Sequence, residues 1–182
     1  MSVFDSYILF LITVLPLVGP VIILFVPRNR ADVVRWIATV FAGVVMTLTF
    51  YVFGFYDHES GGFQFLRSWH WLELPGPWAL GSRGIQLGLG VDGISAPMVL
   101  LTGIVMFTGV LISWKIVDRV KEFFILYFLL LAGVFGVFVA LDLFFLFFFY
   151  ELAVVPMYLL IGVWGSNSDF KTFFRTKQYG AM

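Results

Sequence analysis

Long apolar stretches separated by short polar joints set the plan of this chain. Five segments reach the roughly 20 mostly apolar residues needed to cross a bilayer: 7–26, 36–55, 94–114, 123–141 and 143–164. The last two are almost continuous. One helix over both would measure on the order of 60 Å at a rise of about 1.5 Å per residue, twice the hydrocarbon thickness. The chain must therefore reverse, and Asp142, the only charge at the junction, marks a tight turn. The first segment has Asp5 and no basic residue on its N-terminal flank and no small-residue cleavage site after it, so it reads as a retained helix and not a signal peptide. Pro16, Gly19 and Pro20 inside it predict an irregular or kinked helix whose freed carbonyls are met by neighbours.

Between the second and third spans lies a long loop, 56–93, with a different period. Phe63, Phe65, Trp69 and Trp71 fall at alternate positions, as do Ile85, Leu87, Leu89 and Val91, with Pro75, Gly76, Pro77 and Gly81 between the two runs. Period-two alternation around a Pro/Gly cluster predicts a small β-hairpin. Its aromatics are expected at the membrane surface or against a neighbouring protein.

Composition makes the class firm. Of 182 residues 61% are hydrophobic, 20% aromatic and 12% charged, the profile of an all-α polytopic membrane protein. Net charge is zero, which gives no footprint for nucleic acid and no acidic tail, so function must reside in the spans, in the lipid bilayer, or in partners. The basic residues are unevenly placed. Arg28, Arg30, Arg35, Lys115, Arg119, Lys121, Lys171, Arg175 and Lys177 fall in the joints at 27–35, 115–122 and 165–182, which five spans put on one side; Arg67 and Arg83 fall on the other, with Asp5, Asp57, Glu59, Glu73, Asp92 and Asp142. By the positive-inside rule the first side is cytoplasmic and the N-terminus lies outside.

Redox chemistry finds little to work with. There is no cysteine, and the two histidines, His58 and His70, share the outer loop, so neither an iron–sulfur cluster nor a haem or metal site is expected in this chain. The run GLGVDGISAP at 88–97 lacks the Lys and Ser/Thr of a phosphate loop and reads as a turn into the third span. Ala132, Gly133 and Gly136 in the fourth span predict close helix packing. Lys115 beside Trp114 reads as a snorkelling cation with an interfacial ring.

One acid escapes these bland readings. Glu151 is the only charge inside the fifth span, about 4 Å from its midpoint at ~1.5 Å per residue, too deep to reach water by snorkelling. A carboxyl stripped of water favours its neutral form, and one whose ionisation is switched by neighbours can relay a proton. Pro156 lacks an N–H, so the Leu152 carbonyl next to Glu151 loses its helical donor, and Tyr158, seven residues on, shares the face of Glu151 and can order a water. No Lys, Arg or His lies mid-span elsewhere, so a partner must come from outside these residues. The competing reading is a carboxylate that only fixes helix packing through an ion pair.

The sequence here resembles a known family. The run 141–151, LDLFFLFFFYE, followed by VPMYLLI at 155–161 and Trp164-Gly165, with Val91-Asp92-Gly93-Ile94-Ser95 and Ser113-Trp114-Lys115 upstream, is similar to the fourth-to-fifth-helix region of subunit M of proton-translocating NADH-quinone oxidoreductase, respiratory complex I. The resemblance covers nearly the whole chain and implies an antiporter-like fold of fourteen helices with two inverted five-helix repeats. Residues 1–122 would form three N-terminal helices, and 123–182 the first two helices of the first repeat and the start of the next. Glu151 matches the family's acidic residue, which is thought to pair with a lysine on a later helix. NADH, FMN, iron–sulfur clusters and quinone would belong to other subunits of the complex, with none held here. Because the sequence stops at Met182, where the family begins its sixth helix, truncation of a longer subunit is expected. A bacterial cytoplasmic membrane is the expected location. The alternatives are a subunit of a multi-subunit cation/proton antiporter and a purely structural membrane scaffold.

Overall fold

The computed structural model describes residues 3–72 and 85–165. Its elements are α1 (Val3–Phe25), α2 (Ala31–Gly54), β1 (Gln64–Leu72), β2 (Ile85–Val91), α3 (Ser95–Ile112), a 3₁₀ turn (Ser113–Lys115), α4 (Val120–Val139) and α5 (Leu143–Trp164). Five of these helices are long and apolar enough to cross a membrane, in the places the hydropathy pattern gives. The assignment of α1 is continuous through Pro16 and Pro20, so the expected irregularity does not interrupt it. Gly19 in the same stretch lets the Phe128 ring approach, since a Cβ there would lie 3.0 Å from Phe128 Cδ1.

α4 is the hub of the body. Half of its apolar stretch is buried, including Phe124, Phe128 and Phe135 with no exposed surface. It packs on α1 and α5, with lesser contact to α3 and α2. A second seam joins α2 and α3. On α2 the buried residues Val34, Ala38, Ala42, Val45, Thr49 and Val52 recur every three or four positions, the spacing of one helical face. Gly103 of α3 faces Thr49 so closely that any side chain there would strike its Oγ1.

The two ends of the body differ. At one end lie the joints rich in Lys and Arg. Lys121 Nζ donates to the carbonyls of Leu24 and Val26 at 2.8 Å each, meeting acceptors left open where α1 ends. Arg35 donates to Asp32 Oδ1 (2.8 Å) and to the Ile116 carbonyl (2.9 Å), and Trp164 Nε1 donates to the Asp118 carbonyl (2.9 Å). At the other end Tyr51 donates to Asp5 (2.9 Å) and Arg67 to the Tyr7 hydroxyl (2.7 Å). The joints at 27–35 and 115–122 thus share one end, as the parity of five spans requires. The basic residues at 171, 175 and 177 lie outside the described residues.

The hairpin forms as the alternation predicts. β1 and β2 pair antiparallel, with Arg67 opposite Leu89, Trp69 opposite Leu87 and His70 opposite Gln86, and with register shifts between Gln64 and Arg67 and between His70 and Leu72. Phe65, at the first irregularity, adopts φ 56°. The Pro/Gly connection at 75–81 lies outside the described residues. Several of the aromatics also make contacts within the chain. Trp69 packs on Phe10 and Tyr7 of α1 (ring centroids 5.2 and 6.4 Å), Trp71 on Phe144 and Phe145 of α5 (5.4 and 5.6 Å), and Phe65 is buried. Helix ends of the same chain receive these rings; Phe63 stays exposed.

The turn at 88–97 sets up α3. Asp92 Oδ1 accepts from the backbone N–H groups of Ser95 (2.7 Å) and Ile94 (3.1 Å), and the Asp92 N–H donates to Ser95 Oγ (2.8 Å). The bonds from Ser95, its backbone N–H first, hold the Asp92 carboxyl below the usual carboxylate range. A lowered carboxyl contributes stability that is present above about pH 4 and lost as pH falls through the folded value. Asp92→Ala is expected to cost about 1 kcal/mol at neutral pH, the worth of a helix cap. The difference from the parent should shrink in acid, as read from unfolding midpoints in detergent at the two pH values.

Candidate functional site

The site is built on α5 and the reversal that precedes it. α4 ends at Val139, and Asp142 caps α5 by accepting from the Phe144 N–H at 2.8 Å. The tight turn expected at Asp142 is present. The hairpin clasps it: the Leu141 N–H donates to the Gly88 carbonyl at 2.9 Å, and Leu89 bridges to Ala140. Gly90 is needed there, since a Cβ would come within 2.9 Å of both Leu141 and Leu66 side chains.

From this fixed start α5 lies along α4 on small residues. A Cβ at Gly133 would sit 2.6 Å from Ala153 N and 2.8 Å from Phe149 O, so backbone meets side-chain-free backbone. Gly136 leaves room for the Phe149 ring. The packing predicted from Ala132, Gly133 and Gly136 is what joins the two helices.

The other face of α5 is uncovered. Only Phe149 and Pro156 are buried along the helix, and 11% of its apolar stretch is buried against 50% in α4. Phe145, Phe149, Ala153 and Pro156 lie toward α4 at helical spacing; Phe144, Phe147, Glu151, Val155 and Tyr158 form the opposite stripe, and all five are exposed. Glu151 therefore stands mid-helix on the outer surface of the five-helix body, with no hydrogen bond or ion pair to the described residues. Tyr158 shares its face, 76% exposed. Pro156 is buried on the far side, so of the three residues selected from sequence the structure brings Glu151 and Tyr158 to one surface and turns Pro156 to the other.

Beside this stripe runs a groove of ≈310 Å³ between α4 and α5, lined by apolar groups that include Leu130, Val134, Phe138, Tyr150 and Met157. Sequence reading did not select Tyr150. Its signal was its spacing from Ala153, Val154 and Met157, three, four and seven residues on, which marks one face. Both histidines are exposed; His58 rests edge-on to Tyr56 and Phe53. Among the described residues no group of three His, Cys, Asp or Glu is placed to hold a metal ion.

Five membrane-length helices and a hairpin clasping one reversal define a polytopic α-helical membrane protein. The chain is homologous over most of its length to antiporter-like subunits of complex I, NADH-quinone oxidoreductase subunit M and NAD(P)H-quinone oxidoreductase chain 4. It is 37% identical over 163 residues to NADH-quinone oxidoreductase subunit M of Escherichia coli K12, covering 87% of this chain and 31% of the relative. It is 34% identical over 172 residues to NAD(P)H-quinone oxidoreductase chain 4 3 of Picosynechococcus, covering 94% of this chain and 28% of the relative. The chain thus spans less than a third of the length of these curated relatives. Among solved structures, a chain of respiratory complex I from Thermus thermophilus with bound NADH matches with a TM-score of 0.64 and 25% identity over 86% of this chain and 29% of that one. A chain of the membrane-bound sulfane sulfur reductase, an archaeal respiratory membrane complex, matches in fold with a TM-score of 0.63 at 19% identity, over 87% of this chain and 31% of that one. No protein-family model matches the chain.

Proposed function

We propose that this chain works as part of a proton-translocating membrane-arm subunit of an NADH-quinone oxidoreductase, with Glu151 as a proton relay, Tyr158 as a supporting group on its face and Pro156 supporting it by freeing the Leu152 carbonyl. One observation carries the reading. A carboxyl sits midway along a membrane-length helix, on the bare face of α5 and unpaired within the described residues, where hydrocarbon would not hold it at acceptable cost. Protein or internal water must meet it, and a partner cation on another helix would make its proton exchangeable on demand. In a fourteen-helix arrangement with inverted repeats, residues 1–122 are the three leading helices and 123–182 open the first repeat. The uncovered face of α5 is then where later helices join. NADH, FMN, iron–sulfur clusters and quinone are held by other subunits, and this chain supplies no redox group. Its basic joints face the bacterial cytoplasm and its N-terminus lies outside.

The test is proton translocation per assembled complex in membranes carrying Glu151→Gln. Loss of translocation with normal assembly supports the relay. Normal translocation per complex with reduced assembly assigns Glu151 to packing alone, and sodium-linked antiport without NADH oxidation assigns the chain to a cation/proton antiporter.

A further inference from the structure

A cleft of ≈320 Å³ opens at the basic end of the body, far from Glu151, lined by Arg28, Arg119, Lys121, Glu122, Ala31 and Val120 among others. Ala31 and Val120 are the first residues of α2 and α4. Neither helix has a side-chain cap: the residues before them, Arg30 and Arg119, make no such bond. The first backbone N–H groups of a helix have no partner within it and carry the positive end of its dipole. Two such ends meet in one cleft together with three cations and one carboxylate. The carboxylate is engaged, Glu122 accepting from Arg28 at 3.1 Å. Arg119 lies over the Trp164 ring at 5.9 Å, with its backbone held at φ 52°. Arg35, one turn beyond Ala31 on the same face of α2, has a buried Nε with no hydrogen-bond partner.

The surroundings say at what depth this cleft sits. Trp36 and Trp114 meet edge to face at 5.4 Å at the same end, and tryptophan pairs of this kind mark the headgroup level of a bilayer. Val117, which also lines the cleft, is 80% exposed, and Phe25 at the end of α1 is 85% exposed. Positive charge and open N–H groups thus border uncovered apolar side chains. A free anion would use only the first half of that surface; a lipid with a charged head and acyl tails uses both.

We infer that this cleft binds the phosphate headgroup of an anionic phospholipid, with Arg28, Arg119 and Lys121 and the N-termini of α2 and α4 as its anion-binding elements. Basic pockets between membrane helices near the surface suit such headgroups. Lys121 also ties α1 to α4, so the variants that probe binding leave it in place.

The experiment is a titration of the full chain, purified in detergent, with dioleoyl phosphatidylglycerol, dioleoyl phosphatidylcholine or inorganic phosphate, read as bound adducts by native mass spectrometry. Phosphatidylglycerol should be retained in preference to phosphatidylcholine. The double variant Arg28→Gln/Arg119→Asn should weaken that retention by about 25-fold, from roughly fivefold per basic residue near a membrane surface. Asn is chosen because it tolerates the left-handed backbone. Glu122→Gln removes the competing carboxylate and should tighten phosphatidylglycerol binding several-fold, a gain that a misfolded protein would not give. Equal retention of the two lipids, unchanged binding in the double variant, or binding of inorganic phosphate with no lipid preference would each overturn the assignment.

Discussion

Membranes carrying Glu151→Gln are expected to contain the assembled complex at near-normal level and to translocate protons at about one hundredth of the parent rate, the lower end of what a positioned acid–base group contributes. Gln keeps the size of the side chain and its hydrogen bonding but cannot release a proton. Glu151 is exposed and makes no hydrogen bond or ion pair to the described residues, so the exchange should leave the packing of the five helices intact. Quinone reductase turnover should fall with pumping, because a coupled machine that cannot complete the proton step stalls its redox step too. Glu151→Asp keeps the acid and pulls it back by one methylene, and an intermediate rate is expected. Proton uptake into vesicles, divided by complex counted on native gels, separates these outcomes. Full pumping per complex in the Gln variant would end the relay role.

Gly133→Leu is expected to break the α4–α5 pair. The atoms a Cβ would meet at position 133 are backbone atoms of Phe149 and Ala153, at 2.6 to 2.9 Å. Side chains can rotate away; helical backbone cannot, so α5 must move bodily. Overpacking by single methylenes costs about 1–3 kcal/mol, which sets the scale for Gly133→Ala, and Leu adds more. Lost α4–α5 cross-linking between engineered cysteines and a lowered unfolding midpoint would report it. Gly162→Ala on the same helix is the control. Nothing lies within 4 Å of a Cβ there, and alanine favours helix over glycine by roughly 0.5–1 kcal/mol. Similar losses at both positions would mean that close helix approach is not what position 133 provides.

The spans were legible because hydrocarbon demands an uninterrupted apolar run of fixed length, and no other fold needs one. The reversal at Asp142 followed from length alone, and the hairpin from its period. Which side of each helix meets protein was not legible. Lipid tails and buried side chains are equally apolar, so hydropathy cannot separate Phe149, which is buried, from Phe147, which is not. The two glycines of α4 were the exception, since lipid gives no reason to omit side chains. The contacts of Trp69 with α1 and of Trp71 with α5 were hidden for a related reason: an aromatic suits a bilayer surface and a helix end equally well. Glu151 stood out because its cost is independent of context, yet its face became known only when the fold fixed the side of α5 that meets α4. The ties made by Lys121 and Arg35 join carbonyls distant in sequence, and no local pattern announces them.

α5 has one finished side and one unfinished side, and this sets a schedule for biogenesis. If later helices join there as proposed, a stripe carrying an acid and a tyrosine would face the lipid from the docking of α5 onto α4 until they arrive. During that interval the molecule would be a target for membrane quality control. Delay in supplying the next neighbour should therefore shorten its lifetime in the cell before it affects any transport rate.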